Sequence, residues 1–291
     1  MLSPPDSAPC WLAYPGSASA LLCFSFNNSA PAWRTRRQLP ATKPLNLRRK
    51  ASTATRIALE TAVSAADNHL IALLPRQDRT LILDVCEVVD LQLSEIISTR
   101  GEPTLHAYFP TAGFISLLAS DGHPSLEVGM IGNEGMLGSQ LALGVAIAPL
   151  DALVQGAGHA FRITAVDFHT VLGRSKRLQR ILNRYLYVLM VQLMASATCL
   201  RFHLIGPRLA RWLLMSHDCA QADTFHVTHE LLAYMLGVRR VGITMAAGVL
   251  QRNGLIAYRR GELTVINRKG LEDAACTCYA ANCSTYVRMM S

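Results

Sequence analysis

The chain has 291 residues, enough for about two domains of roughly 150 residues and for more than one buried core. Hydrophobic residues make up 51% and charged residues 16%, so a membrane span has to be looked for. The longest nearly uncharged helical run, Tyr185 to Leu200, is interrupted by Gln192, Ser196 and Thr198 and is shorter than the roughly 20 residues a span needs. Eight cysteines are too dilute for a disulfide scaffold, and the opening residues lack the basic and apolar regions of a signal peptide. The expectation is a cytoplasmic protein with no membrane partner.

The formal charge of +8 is unevenly spread. Arg34, Arg36, Arg37, Lys43, Arg48, Arg49, Lys50 and Arg56 fall in a stretch with no acid between Asp6 and Glu60, and the remainder is close to neutral. Residues 1–56, rich in Pro, Ala, Ser and Arg without a period, read as a disordered basic extension. From Thr228 to Lys269 seven cations face only Glu230 and Glu262. From Gly101 to Phe161 there is no Lys or Arg, but there are five acids, Glu102, Asp121, Glu127, Glu134 and Asp151. One end attracts polyanions and the middle repels them.

In chain order, Arg56 to Val85 reads as helix broken at Pro75. From Cys86 to about Phe168 the pattern is β-like: Val88–Leu93, Glu95–Ser98, Leu105–Phe109, Phe114–Leu118, Leu126–Met130, Ala152–Gln155 and Ala160–Ile163. Turn signals fall at Arg100–Pro103, Thr111–Gly113, Asp121–Pro124 and Gly156–Gly158. Such spacing marks a small sandwich or barrel. Arg174 to Phe202 returns to a period near 3.6 and is apolar on nearly every side, so it needs two covers: the barrel, and the same helix of a second copy. The residues expected to build that homodimer are Leu182, Tyr185, Leu186, Leu189 and Leu193. Gly206-Pro207 is expected to stop the helix, with a new one from Arg208 to about His217.

The informative stretch is Val227 to Ile256. Thr228 can cap a helix with Glu230 in its first turn, and Leu231, Leu232 and Met235 face inward. Gly237 suits a tight turn, and Ile243 and Leu250 anchor the helix that follows. That second helix begins at Arg239 and Arg240, whose forked donors suit phosphate oxygens and guanine edges. Leu255 to Ile266 alternates as a hairpin with a cationic tip at Arg259 and Arg260. The sum is a winged helix-turn-helix.

Barrel, long helix and winged helix in this order resemble the Crp/Fnr family of bacterial transcription regulators over about residues 70–280. The matching pieces are Gly101-Glu102-Pro103, Tyr108-Phe109-Pro110, Glu127 to Gly135, Arg208 to Leu214 and Leu236 to Arg240. The resemblance implies an α+β fold: an N-terminal double-stranded, jelly-roll-like β-roll, a long dimerisation helix and a C-terminal winged helix-turn-helix domain. The corresponding boundaries are 1–56 (extension), 57–173 (cyclic-nucleotide-binding-like sensor), 174–204 (dimerisation helix), 205–283 (DNA-binding domain) and 284–291 (C-terminal tail). It implies a homodimer reading a palindromic site in double-stranded DNA with a recognition helix at about 239–252, without enzymatic activity. RNA polymerase is admitted as a further partner. The DNA-binding set is Thr228, Arg239, Arg240, Val241, Thr244, Met245, Arg259 and Arg260.

Several family features are missing. Where cyclic-AMP receptors hold the phosphate with an Arg-Ser pair, this sequence has Leu150 and Asp151, and Val241 and Met245 stand at two base-reading positions. An effector pocket is expected around Glu134, Gly135, Leu150 and Asp151, with an unidentified small molecule and not a cyclic nucleotide. No cofactor is expected: Cys10, Cys23 and Cys86 are too scattered for an iron–sulfur cluster. Cys276, Cys278 and Cys283 show no fourth ligand, so no metal is expected. The rival reading is a small-molecule-binding or metal-dependent cupin-like barrel with a basic interaction module. Its histidines, His106, His123, His159 and His169, are spread too widely for the usual ligand core.

Overall fold

The computed structural model describes residues 68–119 and 126–291. The expected basic extension and the Asp121–Pro124 turn lie outside them. The described chain opens with α1 (His69–Ala72) and α2 (Arg76–Leu83), separated at Pro75 as the sequence requires. Asn68 caps α1, and its amide donates to the carbonyls of Pro110 and Gly135, both at 2.9 Å, tying this corner to the sheet.

An antiparallel sheet follows: β1 (Glu87–Leu91), β2 (Ile96–Ser98), β3 (His106–Ala119), β4 (Leu126–Ile131) and β5 (Asp151–Thr164), in the order β1-β5-β3-β4 with β2 also on β5. Two expected turns are not reversals. Thr111–Gly113 lies within β3 and Gly156–Gly158 within β5, so four short strands are two of 14 residues each. The ladder between them shifts register from Pro110 to Ile115. There the glycines face one another: a Cβ on Gly113 would lie 2.3 Å from the Gly156 carbonyl oxygen, and one on Gly158 would lie 2.1 Å from that of Ala112. Glycine here permits a bulge and close backbone approach, which bend the long strands into a roll.

The sheet leads into α3 (Ala165–Arg174) and α4 (Lys176–Phe202), which meet at Ser175. The Ser175 hydroxyl caps α4 by accepting from the Leu178 N–H at 3.0 Å. Leu178, Leu182, Tyr185 and Val188 enter the core with Phe109, Phe161 and Phe168. The Tyr185 hydroxyl accepts from the Met136 N–H at 3.1 Å, and a Cβ at Gly135 would stand 2.1 Å from that oxygen, so Gly135 makes room for it. Leu182 and Tyr185 are therefore core residues, a correction to their expected place in a dimer interface: a helix with two apolar faces does not reveal which face meets the roll. The accessible face carries Met190, Leu193, Ala197 and Leu200, with Leu186 and Leu189 half-buried beside it. At 27 residues, α4 is long and apolar enough to cross a membrane by length and composition, a property the shorter run from Tyr185 to Leu200 did not suggest.

The second unit comprises α5 (Ile205–Ala220), β6 (Thr224–His226), α6 (His229–Met235), α7 (Arg240–Arg252), β7 (Ile256–Arg259), β8 (Glu262–Val265), α8 (Arg268–Ala274) and α9 (Cys278–Met290). Gly206 and Pro207 do not precede α5; they lie in its first turn, where proline's missing N–H has no helical partner to lose. Leu209, Trp212 and Leu213 of α5 join Leu232, Ile243, Leu250 and Leu263 in one core, which also takes in Phe114, Leu118 and Met130 of the roll. Residues 284–291 are not a tail. Residues 284–290 belong to α9 and Ser291 caps it, and Tyr286 and Met290 are buried in the roll core against α4.

Candidate nucleic-acid interface

Thr228 caps α6 by accepting from the Leu231 N–H at 3.1 Å. Gly237 turns the chain with φ +62°, and a Cβ there would meet Leu126 at 2.9 Å. Helix α7 then departs at 110° to α6. This is the helix-turn-helix derived from the spacing, with Gly237 in the left-handed region that favours glycine. The turn is held from behind by Arg208 of α5, whose buried guanidinium donates to the Leu236 carbonyl.

Helix α7 buries Ile243, Ala247 and Leu250 and turns the opposite side to solvent. Arg239, Arg240, Val241, Thr244 and Met245 are all exposed, Val241 and Met245 each at 69%. Large apolar side chains this open on a rigid helix, flanked by guanidinium groups, suit a groove that offers both phosphates and thymine methyls. Thr244 is not free-standing: its hydroxyl donates to the Arg240 carbonyl at 3.1 Å and lies 3.1 Å from His229 Nδ1.

β6, β8 and β7 form a three-stranded antiparallel wing; β6 was not visible in the sequence. Its tip is a two-residue loop, Arg260-Gly261, with φ +52° and +86° between the paired Arg259 and Glu262. Positive φ at both positions is the primed turn that matches strand twist. Arg259 and Arg260 are exposed, on the same unit as α7. Fewer cations of this region are available to a partner than its sequence contains, because Arg268, largely enclosed, is held against Asp218 at 2.7 Å, with Tyr279 and His217 at the same distance. Lys269 pairs with Asp273 at 3.1 Å. The cations on the exposed surfaces of the recognition helix and wing are Arg239, Arg240, Arg252, Arg259 and Arg260.

The expected effector residues do not converge. Between the roll and α4 lies a cavity of about 420 Å³ whose walls include Ile97, Tyr108, Leu137, Leu150, Leu189 and Met190. Leu150 lines it; Glu134, Gly135 and Asp151 do not. Glu134 turns back to accept from the Gly132 N–H at 3.0 Å and is enclosed beside Cys219, where burial raises its carboxyl above the usual range. Asp151 accepts from the Arg100 N–H at 2.7 Å. No Lys or Arg lines the cavity.

The three cysteines expected as free thiols also separate, and Cys283, being disulfide-bonded, has no thiol to offer. Cys283 lines a smaller cavity with Glu134 and Tyr185. Cys276 and Cys278 instead meet Cys199 and His203, from the foot of α4. Cys283 is not in this group; its other two members, Cys199 and His203, lie 73 residues or more away from Cys276 along the chain.

Residues 207–274 match the family described as the Crp-like helix-turn-helix domain. No curated protein matches the chain. Among solved structures the fold is similar to a CRP/FNR-family transcriptional regulator from Thermus thermophilus, with 21% identity over 65% of this chain and 98% of that one, TM-score 0.54. It is also similar to FixK2 from Bradyrhizobium japonicum, with 12% identity, 66% and 98% coverage and TM-score 0.55. A third is the c-di-GMP-responsive global regulator CLP of Xanthomonas campestris, with 17% identity, 66% and 99% coverage and TM-score 0.53.

Proposed function

From its Crp-like helix-turn-helix domain on a Crp/Fnr fold, we infer that this chain is a Crp/Fnr-type transcription regulator that binds double-stranded DNA as a homodimer. The observation that carries the reading is the polarity of α7: Ile243, Ala247 and Leu250 anchor it while Arg240, Val241, Thr244 and Met245 stand in solvent. In the complex, α7 lies in the major groove. Arg240 reaches phosphate or guanine, and Val241 and Met245 read thymine methyls. Arg259 and Arg260 of the wing hold the flanking backbone. Thr228, exposed at the start of α6, meets the flanking phosphate backbone.

Two copies joined along Met190, Leu193, Ala197 and Leu200 of α4 place the two recognition helices on one face, about one helical turn or 34 Å apart on the duplex. That spacing requires a palindromic site. The chain works in the cytoplasm and without catalysis, and its roll serves as a sensor. The cavity walled by Leu150, Leu189 and Met190 disfavours an anionic effector, since it has no Lys or Arg to offset the desolvation of an anion.

Selection of binding sites from a random duplex library by the full chain tests this reading. Recovery of an inverted repeat with half-sites one turn apart is the expected result. Equal retention of all sequences, with little dependence on salt, would reject it and favour the barrel with a basic protein-binding module.

A further inference from the structure

The foot of α4 and the junction of α8 with α9 bring together Cys199, His203, Cys276 and Cys278. Their donor atoms, three Sγ and one imidazole nitrogen, all lie within 4.8 Å of one another, the only such His/Cys/Asp/Glu group among the described residues. Cys199 Sγ is 3.4 Å from Cys276 Sγ, and Cys278 Sγ is 3.6 Å from His203 Nδ1. We propose that these four side chains form a closed tetrahedral site for a single Zn2+ ion, which clamps the end of the dimerisation helix to the end of the DNA-binding domain.

The geometry is that of a metal shell. With Zn–S near 2.3 Å and Zn–N near 2.0–2.1 Å, a tetrahedron has S···S edges of roughly 3.8 Å and S···N edges of roughly 3.5 Å. The observed 3.4 and 3.6 Å lie within a few tenths of an ångström of these edges. A disulfide would hold two sulfurs at about 2.05 Å, and Cys199, Cys276 and Cys278 are all free thiols. An iron–sulfur cluster would spread its ligand sulfurs further than a lone ion does, so the tight grouping favours one ion.

Sequence spacing supplies the rigid halves. Cys199 and His203 are four apart, one helical turn, on the last turn of α4 and its cap. Cys276 and Cys278 flank one residue where the chain passes from α8 to α9. The Cys276 N–H donates to the Pro207 carbonyl at 3.3 Å, which fixes that junction against the start of α5 independently of any ion. The three cysteines are buried and cluster with Ala195. When Zn2+ enters, the thiol protons leave to solvent and the three sulfurs bind as thiolates. The resulting excess negative charge faces Arg211, which donates to Ser196 at 3.1 Å one turn back on α4, and the buried Arg208. Three thiolates and an imidazole leave no open position, so the ion is structural. Its place follows from topology: it spans the α4–α5 break at His203–Leu204, the single joint between the dimer helix and the helix-turn-helix.

The full chain, purified without chelator, is expected to carry about one zinc per chain by elemental analysis. X-ray absorption should give three sulfurs and one nitrogen around it. Exchange with Co2+ should produce the strong visible bands of a tetrahedral thiolate site. Cys199→Ser and Cys276→Ser should each lower the stoichiometry at least tenfold, and Cys86→Ser should leave it unchanged. Because loss of a ligand can also unfold the chain, His203→Cys provides the second arm: it should keep the ion and change the shell to four sulfurs. The inference is overturned if the wild-type chain retains no zinc and takes up no Co2+. It is equally overturned by a Cys199–Cys276 disulfide in its place, by iron with sulfide, or by zinc that survives in the Cys199→Ser, Cys276→Ser double variant.

Discussion

The imidazole of His229 lies flat on the ring of Tyr258, with centroids 4.4 Å apart and planes inclined by 20°. His229 opens α6 and Tyr258 belongs to the wing, so the stack sets the distance between helix-turn-helix and wing. The Tyr258 hydroxyl donates to the Val227 carbonyl at 2.9 Å, and His229 Nδ1 meets the Thr244 hydroxyl at 3.1 Å on the recognition helix. Burial and the nearby Arg240 hold the imidazole below its usual range, which keeps it neutral and able to stack. His229→Ala is therefore expected to weaken operator binding by about tenfold, the loss of roughly 1.4 kcal/mol of positioning. Far-ultraviolet dichroism should be unchanged. Unaltered affinity in a fluorescence-anisotropy titration would show that the wing needs no such tie.

The exposed arginines divide by role. With the wing on the DNA backbone as proposed, Arg259→Ala and Arg260→Ala should each flatten the slope of log K against log salt by about 1 and weaken all sequences alike. Arg240→Ala should also relax preference at one base-pair position, at a cost of about 1–3 kcal/mol. Titrations at several salt concentrations against operator and scrambled duplex distinguish the two classes.

Half-buried Glu127 links the two units. Its carboxylate accepts from Trp212 Nε1 of α5 at 2.8 Å and from the Ser116 hydroxyl of β3 at 2.6 Å. Burial pushes its carboxyl up to about 7, against the lowering effects of Ser116, Trp212 and Arg211. Between the ordinary carboxyl range and 7 the folded chain holds a proton that the unfolded chain has lost, so stability falls as pH rises through that window and is level above it. Glu127→Gln removes the partly desolvated charge and keeps an acceptor. It should raise stability at about pH 8 by about 1–2 kcal/mol and have little effect at about pH 4, as measured by urea unfolding.

The two faces of α4 should separate in mutagenesis. Leu193→Asp, at a side chain 39% exposed, should yield a folded monomer by analytical ultracentrifugation, with operator affinity lost. Leu182→Ala, at a fully buried side chain, should lower stability by about 2–5 kcal/mol and leave the folded fraction dimeric. A dimer that survives the first substitution would place the interface elsewhere.

The cavity between roll and α4 has no Lys or Arg in its wall. Calorimetry with cyclic AMP is expected to give no saturable heat in the micromolar range, and binding there would overturn the exclusion of an anionic effector.

Much of the DNA-binding unit was legible in the sequence because its signals are local. Thr228 as a cap, Gly237 in a left-handed turn and Arg260-Gly261 at a hairpin tip each act within a few residues of themselves, and backbone chemistry alone dictates their conformations. The basic count of α7 and the wing and the acidic count of the roll needed no coordinates either. Tertiary structure decided whatever depends on which surfaces meet. Gly113 and Gly158 read as turns, and only the pairing of β3 with β5 showed them as the contact points of a bulged ladder. Leu182 and Leu193 are both apolar residues on one helix, and only the position of the roll assigns the first to the core and the second to solvent. Cys199 and Cys276 are separated by 77 residues, and neither bears a mark of the other. Their meeting is produced by α5 and α8 folding back beside the foot of α4, a long-range consequence of burying one core, which no local pattern encodes.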